Sequence, residues 1–408
     1  MIQVRTVVER SAHALTGLVT SLIAWAARSA ALGRGPALDR TLAPKLSPPP
    51  PPPPPSTGPA PHFVPAAKVT DLTGPERSTA WGIGGTDLGA PTLTPDGRLL
   101  LVFGDTFDQF RAGGSGWRAP TALFADPDTS TRGLRWTGAA PGADGSSTRA
   151  GQLVPQPHHT RIRGFPISTQ LPSDVVRLGD VLYLQVMGCE GLGTVHFTEL
   201  YHSLDNGRHW SSTGCWWPGD HWNGWFQNLS WCPGDDGYLY CVSTGFKRDK
   251  GLMLSRVRVD ELTDPHAWQP WGWTPSGGWA WGEPPGIVLP GAFGEQSLRR
   301  IDGHWVLSLF DAGHYRIDVR LLPSPTADMT TAPVTTIAQG TAWGQEDHTQ
   351  GQIAQLYGGY ILPGSTLADV HLVISQWNTG PANTPYKSMQ FHVDLTTVHV
   401  TASSERRQ

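Results

Sequence analysis

Hydrophobic and polar positions alternate along this chain in short runs, each broken by a glycine-bearing turn. The clearest run is WGIGGTDLGAPTLTPDGRLLLVFGDTF, Trp81 to Phe107, which reads as one β-hairpin. Its turn is Pro95-Asp96-Gly97, where proline presets φ and glycine takes the φ > 0 position. The arms are Thr86 to Thr94 and Arg98 to Asp105. Symmetry about Asp96 sets Leu93 against Leu99, Gly89 against Phe103 and Asp87 against Asp105. Opposed residues have Cβ atoms roughly 5 Å apart, so two carboxylates are expected to share one rim of the sheet. Such a pair repels, and it also splits its titration into an acid and a base.

The pattern then returns four times. Ser173 to Leu178 and Val181 to Val186 flank Gly179-Asp180; Gln227 to Trp231 and Tyr238 to Val242 form the third copy. Glu295 to Arg300 and His304 to Leu309 flank Asp302-Gly303, and Tyr357 to Leu362 precedes Val370 to Ile374. Each copy is followed by a further strand pair, so the fold class is all-β, a five-bladed β-propeller over residues 65–403. Ser203-Leu204-Asp205-Asn206-Gly207-Arg208-His209-Trp210 matches the structural Asp-box, with His209 in place of threonine. In a propeller the first strand of each blade lines the channel. Aligning the copies puts Asp87, Asp174, Asn228, Glu295 and Tyr360 at its mouth, with the binding of internal amides or water as the plainer role for Asp174 and Glu295.

Composition agrees with many short strands: 48 glycines, 37 prolines and only 16% charged residues. A net charge of −4 without a Lys/Arg cluster excludes a nucleic-acid footprint. Residues 1–33, with Arg5 and Arg10 before an apolar run from Leu15 to Ala27, read as a signal peptide or membrane anchor. Residues 34–64 hold eight consecutive prolines from Pro48 to Pro55, a stiff spacer, and 404–408 form a tail. The expected location is secreted or envelope-associated, with membrane contact only through the anchor. Cys189, Cys215, Cys232 and Cys241 permit two disulfides, and Cys232 and Cys241 could face each other across a hairpin. Ten of the 18 tryptophans fall between Trp216 and Trp281, in long loops suited either to sugar stacking or to packing.

Two carboxylates flanking a bond are the minimum for glycoside hydrolysis. GxSxG, P-loop and HExxH motifs are absent from the sequence. His158-His159 reads as a surface-loop pair, so no metal is assigned. No cofactor is implied, a structural cation in the channel is left open, and a monomer is expected.

The ordered stretches GTDLGAP, FGDTF, FGEQSLRRIDGHWVLSLFD, LYGGYILPGSTL and VISQW resemble the actinobacterial endo-D-arabinanases of glycoside hydrolase family 183, formerly a domain of unknown function. The likeness spans roughly Lys68 to Thr401. It implies a five-bladed propeller that cuts internal α-D-arabinofuranosyl linkages of mycobacterial arabinogalactan and lipoarabinomannan. It maps the catalytic pair onto Asp87 and Asp105. Analogy with other five-bladed glycosidases makes Asp87 the base or nucleophile and Asp105 or Glu295 the acid, with inversion of configuration. Asp174, Asn228, Glu295, Arg299, Tyr360, Trp377 and Trp81 are the expected substrate-binding or pKa-tuning residues. Two rivals stay open: a non-catalytic carbohydrate-binding propeller, and a propeller glycosidase of other specificity.

Overall fold

The computed structural model describes residues 60–143, 145, 148–378 and 384–397. The anchor, the proline run and the tail 404–408 lie outside the described residues.

Five four-stranded antiparallel modules follow one another, and their inner strands are Leu88–Leu93, Thr169–Leu178, Asn228–Pro233, Ile287–Ile301 and Leu356–Ile361. Each inner strand packs on the next, and the fifth packs on the first, which closes a five-bladed propeller. The fifth blade is completed by an early strand, Ala67–Asp71, paired antiparallel with Lys387–Val393. Blades three and four share one sheet, because the first half of Ile287–Ile301 pairs with Lys250–Arg258 before its second half turns inward. A hairpin of Gln269–Thr274 and Gly278–Trp281 flanks blade three.

Inner strands leave backbone groups unpaired on their channel side, and buried serines cover several of them. Ser173 Oγ donates to the Leu229 carbonyl (2.8 Å), Ser230 Oγ accepts from Leu298 N (2.9 Å), and Ser297 Oγ accepts from Ile361 N (3.0 Å). Ser375 Oγ accepts from Leu88 N (2.8 Å), which ties blade five to blade one. The cores lie between blades. One large cluster runs from Leu99, Leu101 and Phe103 to Leu372, Val373 and Phe391.

The Asp-box has the role its sequence announces. Asp205 accepts from His209 N (2.9 Å) and pairs with its ring (2.6 Å), so His209 does the threonine's work. Asn206 Oδ1 then accepts from Asp96 N (3.1 Å), pinning blade two to the turn of the first hairpin.

Two expectations fail. The four cysteines are buried and free. Trp231 pairs with Cys241 and Cys232 with Tyr240, so Cys232 and Cys241 are offset by one residue and enter different core clusters on opposite faces. The hairpin register also slips. Leu93 opposes Leu99 as expected, but Gly89 bulges at φ +115°, so Leu88 faces Phe103 and Asp87 lies against Gly104. The two aspartates are therefore not directly opposed.

Candidate active site

Near the starts of the first, second and fifth inner strands, side chains gather around Asp87 and Asp105, with Glu295 joining from within the fourth, in one half-buried cluster, the recess. Asp87 enters it just before the first inner strand, and Asp105 just after the second strand of the same blade. Both are half-buried by surface yet ringed by protein. A Cβ at Gly104 would collide with Asp87 Oδ1, so glycine is what admits this carboxylate.

Asp87 Oδ2 accepts from the Tyr357 hydroxyl (2.8 Å), contributed by blade five. Burial, then the charge of Asp105, and more weakly that of Glu295, push its pKa up to about 7 against the pull of Tyr357 and Tyr386. Asp105 Oδ1 accepts from Trp117 Nε1 (2.6 Å) and Thr169 Oγ1 (3.2 Å). Burial raises it to about 6 against those two donors. Trp117 is itself held by face-to-face stacking on His158, with ring centroids 3.8 Å apart. Burial lowers the pKa of His158, whose Nδ1 faces the Ser168 carbonyl at 3.2 Å. His158 is thus a partner of the recess rather than a loop ornament.

The connection after Tyr238–Thr244 forms another wall. Phe246 packs with Ala119 and Leu171, while Arg248 Nη2 meets Glu295 Oε1 at 2.6 Å. Glu295 therefore belongs to the recess. Trp377 stands at its edge, packed edge-on against Tyr386 with centroids 5.0 Å apart. Trp81 packs, half-buried, against the core, and its carbonyl accepts from Ala150 N (2.9 Å).

The alignment that put Asp174 and Tyr360 at the mouth is corrected. The inner strand of blade two begins at Thr169, and it is Thr169 that reaches Asp105, five residues ahead of Asp174. Asp174 is fully buried and saturated. Arg299 donates to Oδ1 (2.9 Å) and Oδ2 (3.0 Å), Ser230 Oγ to Oδ2 (2.6 Å) and Val175 N to Oδ1 (2.8 Å). Asp174 and Arg299 are thus a structural ion pair. The Asn228 carbonyl accepts from Gln296 Nε2 (2.8 Å), and its Oδ1 shares the single Ser173 hydroxyl proton (2.9 Å) with the Leu229 carbonyl, so it too serves the ring. Tyr360 is buried in the core.

Sequence reading missed Trp117, Thr169, Tyr357, Tyr386, Arg248 and His158. One signal was available: Tyr357 is the second residue of the fifth inner strand and Asp87 immediately precedes the first, so comparing the strand starts would have brought them together. Of the tryptophan-rich stretch, Trp217, Trp231 and Trp268 are buried core, while Trp271, Trp273, Trp279 and Trp281 are half-exposed on the flanking hairpin.

Among relatives, an uncharacterized 35.9 kDa protein in the asd 3′ region of Mycolicibacterium smegmatis is 32% identical over 334 residues, covering 77% of this chain and 93% of that protein. Notoamide biosynthesis cluster protein J′ of Aspergillus versicolor is 28% identical over 324 residues, covering 76% and 85%. A crystal structure of a "putative hydrolase" from Bacteroides ovatus matches the fold with TM-score 0.55 at 14% identity, covering 77% of this chain and 86% of its own. Residues 73–392 match one family model across nearly the whole propeller, and the chain belongs to the family described as Domain of unknown function (DUF4185).

Proposed function

We propose that this chain is a propeller glycoside hydrolase that cleaves internal α-D-arabinofuranosyl linkages of cell-wall arabinan, with Asp87 and Asp105 as its acid–base pair. The observation that carries this is a pair of carboxylates in one recess, with pKa values pushed up to about 7 and about 6. Asp87, crowded by two like charges, is the better proton donor, and Asp105, held by an indole N–H, the better base. These roles reverse the analogy drawn from other five-bladed glycosidases. Asp87 donates its proton to the glycosidic oxygen as the C1–O bond breaks; Asp105 takes one from the water that attacks C1, which gives inversion. D-Arabinan, and wall polysaccharide as partner, rest on the resemblance in the ordered motifs; export rests on the amino-terminal apolar run Leu15 to Ala27, and the protein is proposed to act as a monomer.

The test is incubation with mycobacterial arabinogalactan beside L-arabinan, with oligosaccharide release followed chromatographically. Release from the D-polymer that disappears in Asp87→Asn and in Asp105→Asn is expected. Full release by both variants would sink the proposal. The half-exposed tryptophans of the flanking hairpin favour a second reading, a wall-binding propeller, which predicts binding without release.

A further inference from the structure

Arg248 adopts φ +59°, a left-handed conformation that a long side chain rarely takes, at the tip of the connection that walls the recess. That conformation persists only where surrounding contacts fix it. The guanidinium carbon lies over the rings of Tyr357 (4.8 Å) and Phe310 (5.3 Å), and Nη2 reaches Glu295 Oε1 at 2.6 Å. Glu295 is 7% exposed, and its second oxygen, Oε2, is buried without a protein partner. A buried carboxylate oxygen left unpaired is costly unless something donates to it. Tyr357, beneath the guanidinium, is the residue that bonds Asp87, so Arg248 joins the third carboxylate to the acid–base pair through one ring.

We propose that Arg248 is a positioning residue that holds Glu295 by one oxygen and thereby presents Glu295 Oε2 to the recess as the acceptor for a hydroxyl of the bound glycosyl unit. The ligand class is a polyhydroxylated sugar ring seated beside Asp87. The inference rests on the glycosidase reading and adds a binding role that neither Asp87 nor Asp105 fills.

Two measurements on the full chain test it. Binding of a D-arabinofuranosyl oligosaccharide is followed by calorimetry in an Asp105→Asn background, where the ligand survives. Glu295→Gln and Arg248→Ala are expected to weaken binding tenfold or more, as for loss of a hydrogen bond to a charged group. Arg248→Lys is expected to recover part of the loss, and added guanidinium to rescue Arg248→Ala. Carboxyl NMR of Asp87 in ligand-free Glu295→Gln is the second measurement. Asp105, Tyr357, Tyr360 and Tyr386 also face this region and are unchanged, while a like charge disappears and Arg248 is left unopposed. The Asp87 midpoint is therefore expected to fall. Equal affinity in Glu295→Gln, or an unmoved Asp87 midpoint, overturns the inference alone. A parent protein that binds no furanosyl oligosaccharide overturns the glycosidase reading and the acceptor role together.

Discussion

Asp87 and Asp105 carry the same side chain in different company, and the difference sets their titration. Two phenols face Asp87, but Asp105 and Glu295 crowd it; Asp105 has the Trp117 N–H and the Thr169 hydroxyl. The acidic limb of kcat/KM against pH is therefore expected near 6 and the alkaline limb near 7, with the optimum between them. Trp117→Phe removes a donor to the ionised form of Asp105, so the acidic limb should move up by roughly one unit while the alkaline limb stays. A flat rate on either side of the optimum, or a limb unmoved in Trp117→Phe, would contradict these assignments. The same shifts have a cost in stability. A carboxyl whose folded pKa is raised holds its proton where the unfolded chain has lost it. Stability is thus fully present below the unfolded value of 3.8 and declines as pH rises through the folded value of about 7. Asp87→Asn removes this penalty. It is expected to stabilise the protein by about 2 kcal/mol at pH 7.5 and by little at pH 4, measured by urea unfolding at both.

Strands and turns were the legible elements, because alternation with period two and Gly-bearing turns act locally. Leu93 opposite Leu99, the turn at Asp96 and the Asp-box at Ser203 to Trp210 all follow from a few neighbouring residues. The bulge did not, because Gly89 is compatible with a regular strand. It is the packing of Val373 and Phe103 against that position, 2.9 and 3.3 Å from where a Cβ would sit, that makes glycine necessary there. The layer of Asp174 was misread for a different reason. Aligning by acidic residues ignores that the second inner strand starts at Thr169, which puts Asp174 five residues further along it than the side chain that reaches Asp105. What lies there is a saturated ion pair whose Arg299 also donates to the Trp231 carbonyl (3.3 Å), joining blades two, three and four. Breaking one side strands a buried charge. Asp174→Asn is expected to lower unfolding stability by about 3 kcal/mol, and Asp174→Leu with Arg299→Met to recover most of it, since apolar replacement of a buried pair is often neutral. Chemical denaturation of the three proteins decides this, and a double variant as unstable as the single one would refute it.

At the scale of the ring, the site depends on closure. Asp87 belongs to blade one, and its hydroxyl donor Tyr357 to blade five, so this carboxylate keeps its hydrogen bond only while those blades are apposed. Apposition is secured by strand Ala67–Asp71, which supplies the outer edge of blade five from the start of the propeller and runs on to Leu72, whose carbonyl accepts from Trp136 Nε1 (2.8 Å) in blade one. Nothing in the local alternation of residues 60–73 marks them as the partner of Lys387–Val393, because the pairing joins segments over 300 positions apart, as Thr73 and Ser388 do with a separation of 315. A distant pairing of that kind costs loop-closure entropy and is repaid only when the whole ring forms. Deleting residues 60–73 is therefore expected to abolish cooperative unfolding rather than merely lower its midpoint. Ala67 pairs with His392 in antiparallel register, so the same strand can be re-attached behind Leu395 through a short turn of about four residues and reach its place as an ordinary hairpin. Such a permuted chain should regain cooperative unfolding and the Tyr357–Asp87 contact, the latter read by the Asp87 titration midpoint returning to about 7. A deletion variant that still melts in one sharp transition would show that the inner ring closes without this strand, and would move the source of apposition to the serine contact between Ser375 and Leu88.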